Sequence, residues 1–391
     1  MRKTLIVLAL CALTPKNANS QVRTITTATP FLLISADARA SGMGDQGVAT
    51  SPDAFSQQWN SSKFAFCEDE FGITASYTPY LSSIVNDISL GQISFYKRLN
   101  DRSAFASSLR YFSLGEIELR NYSDDPARVV KPNEMGLDVS YALKLSERFS
   151  MSVAGRYIRS NLRISDVNTD ASAANSFCVD ISGYYQSETE AYSSFDGRWR
   201  YGFAMQNLGP KISYDNQDLN ANFLPANLRV GGGFDFIFDE YSKLAVNLEL
   251  TKLMVPTPPS KDANNDGVVD AQELQAYNDA LYKYKSTGWV EGLFKSFGDA
   301  PDGFSEELKE ITYALGTEYL YQDSFALRAG YFHESEMKGA RRYYTVGAGF
   351  KYTTIKFDLS YLFSASNVRN PLENTLRFSL TFNFGEKYDD L

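Results

Sequence analysis

LRFSLTFNF, residues 376–384, sets Leu376, Phe378, Leu380, Phe382 and Phe384 against Arg377, Ser379, Thr381 and Asn383 without a break. A period of two is the period of a strand, whose successive side chains point to opposite faces. The device recurs upstream. Leu244, Val246, Leu248 and Leu250 alternate with Ala245, Asn247, Glu249 and Thr251. Tyr344, Val346, Ala348 and Phe350 alternate with Thr345, Gly347, Gly349 and Lys351. The polar face carries Arg377, Glu249, Lys351, Arg156 and Arg328. A closed barrel in lipid, apolar outside and wet inside, accounts for both faces and pairs every backbone group where no water can. A soluble β-sandwich alternates in the same way. Strands of ten or more residues, 27 Phe, 25 Tyr and a leader peptide favour the barrel.

The leader is MRKTLIVLALCALTPKNANS, residues 1–20: two cations, an apolar run from Leu5 to Leu13 and a small-residue end. That is the pattern of a secretory signal peptide, too short for a membrane helix. It holds Arg2, Lys3 and Lys16 and no acid, so the mature chain is more acidic than the formal charge of −9. An acidic chain argues against nucleic acid as a partner. Cys67 and Cys178 are too few for a disulfide scaffold.

Alternation predicts fourteen strands, at 70–79, 85–98, 102–114, 134–146, 148–161, 175–187, 197–207, 225–237, 242–254, 310–322, 323–334, 340–352, 354–365 and 373–384. Connections alternate between short turns, such as Leu99-Asn100-Asp101 and Phe238–Tyr241, and long loops at 115–133, 162–174, 208–224 and 255–309. Short turns belong to the periplasm and long loops to the outside, which leaves both ends of the barrel periplasmic. The expected fold is all-β, a 14-stranded antiparallel transmembrane barrel over 70–384 with a periplasmic tail at 385–391. Residues 21–69 are rich in small residues and do not alternate. Fourteen strands enclose more space than side chains fill, so this segment is expected in the lumen as a plug.

The extracellular insertion 255–309 contains KDANNDGVVDAQEL, residues 261–274. Asp262, Asn264, Asp266, Asp270 and Glu273 stand at positions 1, 3, 5, 9 and 12 of an EF-hand loop, with Gly267 at the sharp turn. The preceding VPTPPSK is too proline-rich for an entering helix, whereas AQELQAYNDALYKYKS suits the exiting one. This half EF-hand is expected to take Ca²⁺ as a structural brace. Glu273 gives two oxygens, Asp262, Asn264 and Asp266 one each, Val268 its carbonyl, and Asp270 acts through water. Beyond it, Trp289, Leu293, Phe294 and Phe297 recur at helical spacing, as the insertion's own small core or as a docking surface for a partner or lipid.

DARASGMGDQGVATSPDA followed by WNSSKFAF resembles the amino-terminal signature of the PorV family of the type IX secretion system, whose fold is FadL-like. The resemblance continues through NLGPKISYDNQDLNANFLPANLRVGGG, RAGYFHESEMKGARRYYTVGAGFKY and NPLENTLRFSLTFNF. Asn60-Ser61-Ser62 departs from the Asn-Pro-Ala that relatives often carry. The resemblance implies an outer-membrane carrier and no enzyme. Such carriers receive secreted cargo from the translocon by its C-terminal signal domain. They deliver it to an attachment complex of a PorU-like sortase with PorQ and PorZ, which joins it to lipopolysaccharide at the outer-membrane surface. Two other readings compete: a FadL-like channel for hydrophobic small molecules, and a lipopolysaccharide O-deacylase built on His333, Glu334 and Ser335. Adjacent strand residues face opposite ways, so His333 and Glu334 do not meet in regular geometry.

Overall fold

The structure, a computed structural model, describes residues 24–387 apart from 82–84, 86, 121–123, 125, 164–171, 216–217, 265 and 367–372. The expected leader lies outside the described residues, as do 388–391 of the expected tail.

Fourteen long strands form one closed antiparallel ring: β1 (Asp69–Pro79), β2 (Ile88–Asn100), β3 (Ser103–Leu114), β4 (Asn133–Lys144), β5 (Phe149–Asn161), β6 (Ala174–Gln186), β7 (Asp196–Leu208), β8 (Asn227–Ile237), β9 (Ser242–Leu253), β10 (Ile311–Tyr321), β11 (Phe325–His333), β12 (Arg342–Tyr352), β13 (Ile355–Ser364) and β14 (Leu376–Lys387). Each pairs with its sequence neighbours, and β14 closes on β1 through pairs such as Ile73 with Phe382. Among the described residues no helix is long and apolar enough to cross a membrane. The strands do the crossing.

Burial follows the alternation. On β4, Leu137, Val139 and Tyr141 are exposed while Glu134, Asp138, Ser140 and Ala142 are buried. Phe177 is 68% exposed and Leu327 64%. Apolar side chains that bare, repeated on every strand, make a lipid-facing band rather than a water-facing surface. Aromatic side chains gather at the long-loop end of this face, where Tyr313, Tyr331 and Tyr344 stand 6.3 and 5.0 Å apart in succession. Rings with a polar tip suit the membrane–water boundary.

Strand ends depart from simple alternation where the backbone bulges. The expected tail begins at 385, yet β14 continues to Lys387. Gly385 has φ of 93°, and the register slips so that Phe71 faces Phe384 but Asp69 faces Lys387. A left-handed glycine inserts one extra residue, so a period-two reading stops at Phe384. A second slip, in β7, re-aims Asn207 (φ 60°). Its side chain accepts from Arg156, while its N–H donates to Asp180 Oδ1 at 2.7 Å.

Residues 28–67 pack against the inward faces of the strands as short helical turns joined by loops, among them α1 (Ala38–Ser41) and α2 (Ser56–Trp59). Asp37 caps α1 by accepting from Ala40 N–H at 2.6 Å and also takes the Trp59 indole N–H at 2.7 Å. The segment bonds round the ring. Ala38 N–H donates to Ser379 on β14, Gly44 N–H to Thr345 on β12, and Gly47 and Val48 N–H to Glu249 on β9. Asn60 donates to the Gly183 carbonyl on β6, and Ser140 on β4 donates to Gln57. A backbone without strand partners is thereby satisfied by the polar lumen wall. Two strand glycines make room for it. A Cβ on Gly202 would lie 2.1 Å from Val48 O, and one on Gly330 would lie 2.2 Å from the Gly44 nitrogen.

Charges hold the same contact. Arg39 gives Nε and Nη2 to Glu318 at 3.0 and 2.7 Å and Nη1 to Asp53 at 2.6 Å. Arg328 of β11 shares Glu318 at 2.6 Å, and Arg377 reaches Asp45 at 2.6 Å. All four arginine–carboxylate contacts are largely out of solvent.

Candidate functional site

The long-loop end of the barrel carries the largest departure from plain strands, the insertion between β9 and β10. It holds α3 (Ala271–Ser286), α4 (Trp289–Lys295) and α5 (Phe304–Lys309). Its root is tied down by charge. Lys252 donates to Glu307 at 2.9 Å and Glu310 at 2.6 Å, and Lys338 donates to Glu306 at 2.7 Å and Glu310 at 2.8 Å. Thr257 adds a hydroxyl bond to Glu310 and an N–H bond to Asp299. Burial raises the Asp299 carboxyl above its usual range. Sequence reading misses this cluster, although one signal is there. Lys252 stands in register with Leu244, Val246, Leu248 and Leu250, a charge at the end of an apolar row.

The insertion leans on the 208–226 connection. The Tyr284 ring meets Phe223 at 5.6 Å, and Lys211 Nζ lies 4.2 Å from the Phe223 ring centroid while donating to the Lys285 carbonyl. Burial, with a smaller contribution from Asp299, pushes the Tyr284 hydroxyl up to about 12. The four residues of the expected stripe divide. Trp289 and Leu293 are half-buried, whereas Phe294 is 76% exposed and Phe297 49%. Phe304, 77% exposed, extends the bare set. One side of the stripe serves the insertion's packing and the other is free.

At 262–273, Gly267 adopts φ of 85° and its N–H donates to Asp262 Oδ2 at 2.9 Å. Asn264 and Asp266 bond to each other, and Asp266 Oδ1 accepts from the Val268 N–H. Asp270 caps α3 by accepting from Glu273 N–H, and the Glu273 carboxylate reaches back to the Asp270 N–H as a capping box. Among the described residues no three His, Cys, Asp or Glu side chains stand close enough together to hold a metal as they are.

Below the insertion, a cavity of about 680 Å³ lies between residues 24–35 and the barrel wall. Phe31, Leu33, Tyr80 and Phe112 give it an apolar side, while Glu249, Glu310, Lys338 and Arg341 give it a charged one.

His333 stacks on Tyr313 at 4.6 Å and places Nδ1 3.1 Å from the Tyr331 hydroxyl. Glu334 is held by Arg341 through two bonds of 2.8 Å. Histidine and acid are thus committed to different neighbours. Replacing His333 with Ala is expected to leave lipid A acylation unchanged, as read by mass spectrometry of lipid A. An extra acyl chain in the mutant would restore the deacylase reading.

The chain matches the family described as Type IX secretion system protein PorV over residues 16–260. It belongs to the PorV family. The match ends before the loop at 262–273. PorV proteins are transport barrels of the outer membrane rather than enzymes, in keeping with the lipid-facing band. Solved structures of similar fold include the Ralstonia pickettii toluene transporter TbuX, at 10% identity and TM-score 0.45, covering 91% of this chain and 100% of that one. The Pseudomonas putida toluene transporter TodX is similar at 11% identity and TM-score 0.45, covering 92% and 98%. A Pseudomonas aeruginosa FadL homologue is similar at 11% identity and TM-score 0.44, covering 90% and 99%. No curated protein sequence matches this chain.

Proposed function

We propose that this PorV protein is the outer-membrane carrier of a type IX secretion system. It takes secreted cargo by the C-terminal signal domain as that domain leaves the translocon, and passes it to a surface attachment complex of a PorU-like sortase, PorQ and PorZ. Membership of the PorV family is the observation that carries the reading. The bare side of the insertion supports it. Phe294, Phe297 and Phe304 stand exposed at the long-loop end, and aromatic side chains of that kind are the common anchors of protein interfaces. In this reading Phe294 and Phe297 contact cargo or sortase, while Trp289 and Leu293 hold the helix that presents them. Residues 28–67 act as a plug, so that cargo is handled on the outer side rather than through the lumen.

The cavity above residues 24–35, with its partly apolar lining, favours a second reading, a FadL-like channel for a hydrophobic small molecule. That reading needs a continuous path past the plug.

Affinity purification from the native outer membrane in mild detergent separates the two. The carrier reading expects a sortase-like protease and secreted cargo to be recovered with the barrel. Recovery of the barrel alone, loaded with fatty acid, would replace it with the channel.

A further inference from the structure

α3 runs for sixteen residues without one buried side chain. Its inner face, Tyr277, Leu281 and Tyr284, is only half-buried, which leaves it marginal in water because helix stability in proteins comes chiefly from burial. Its far end is held where Tyr284 meets Phe223. Its near end has the capping box of Asp270 and Glu273 and the Lys261 ammonium 5.6 Å from the Tyr277 ring.

The residues before it leave one buried carboxylate oxygen open. Asp262 is only 7% exposed, and one carboxylate oxygen accepts from the Gly267 N–H. The other, Oδ1, is buried and has no hydrogen-bond donor among the described residues. A buried charged oxygen without a partner is unfavourable, and a cation beside it removes that cost. Glu273 crosses the loop to reach its start and its end. Oε1 accepts from Ala263 and Asn264 N–H at 3.2 and 3.3 Å, and Oε2 from Asp270 N–H at 3.2 Å. These bonds are at or beyond the long limit of the normal range, so they are weak and exchangeable. The available ligands are all oxygens, with no thiol or imidazole among them. That set suits a hard cation, and a flexible loop suits Ca²⁺ better than Mg²⁺, which demands near-ideal octahedral geometry.

We propose that residues 262–273 bind one Ca²⁺ through Asp262, Asn264, Asp266, the Val268 carbonyl and Glu273, with Asp270 acting through water, and that the ion locks the start of α3. Glu273 exchanges its long backbone bonds for the ion as it binds. Because that exchange has a cost, affinity belongs in the range of extracellular modules, on the order of 10⁻⁴ to 10⁻³ M. The site therefore fills outside the cell and empties in a chelator.

Calcium titration by calorimetry, on the full chain in detergent, tests the site, and limited proteolysis of the same sample tests the lock. Two variants remove a charge while keeping one hydrogen-bond acceptor at each position. Glu273→Gln retains the capping-box acceptor, and Asp262→Asn retains an acceptor for Gly267. The wild type is expected to show one saturable site, weakened at least tenfold in either variant. Calcium should slow cutting within 260–300 in the wild type and leave it unchanged in the variants. No saturable binding up to about 10 mM calcium, or binding undiminished in both variants, would overturn the site. Binding with no change in cutting would overturn the lock.

Discussion

Replacing Glu318 with Ala is expected to destabilise the barrel by about 3–5 kcal/mol, the cost of removing one partner from a buried ion pair. Glu318 accepts from Arg39 of the lumen segment and from Arg328 of β11. Both guanidiniums are almost wholly out of solvent, and so is the carboxylate between them. Without it, two buried like charges lose the carboxylate between them and keep one partner each, Asp53 for Arg39 and Asp358 for Arg328. The denaturant midpoint of the folded, heat-modifiable gel band measures the loss. A shift equivalent to less than about 1 kcal/mol would mean that water or a neighbouring carboxylate replaces Glu318 without difficulty. A second substitution, Arg39→Met in the Glu318→Met background, should recover part of the loss, because an apolar pair removes one of the two facing cations; Arg328 keeps Asp358, and Asp53 alone loses its partner. The N-terminal segment should then become accessible to a periplasmic protease, since Arg39 is one of its ties to the wall.

The second large effect is expected at the surface. Phe294→Ser with Phe297→Ser removes two exposed rings while the strand ladder stays intact. The barrel should fold and reach the outer membrane at the wild-type level. If the two rings anchor a partner, each is worth on the order of 2 kcal/mol, so cargo joined to the cell surface should fall at least tenfold. Quantitative blotting of surface-attached cargo reads the outcome against accumulation in the periplasm. Unchanged attachment would reduce the rings to surface decoration.

The barrel was legible because its signal repeats. Every strand obeys the same alternation, and a face such as Leu137, Val139 and Tyr141 opposite Asp138, Ser140 and Ala142 has one reading in a chain with so many aromatics. Strand ends were less legible. Gly385 inserts a bulge that breaks the period before the strand stops, so the last turn of β14 looked like tail. The stripe at 289–297 showed its spacing but not its division. The packed side of that helix meets Pro256 and Phe223 at Gly292, and both come from distant parts of the chain. The charge cluster of Lys252, Glu306, Glu307, Glu310 and Lys338 was hidden for the same reason. Its members come from β9, α5 and its C-cap Glu310, and the connection before β12, and no local pattern joins them. Legibility followed contact distance along the chain.

The carrier reading is tested most directly by a photo-cross-linking amino acid placed at position 294 and activated in intact, secreting cells. Phe294 is far enough into solvent that the substitution leaves the fold alone. The expected adduct contains the C-terminal signal domain of a secreted protein or the sortase, identified by its peptides, and it disappears when secretion is blocked upstream. Adducts with lipid alone, while cargo still reaches the surface, would contradict the account.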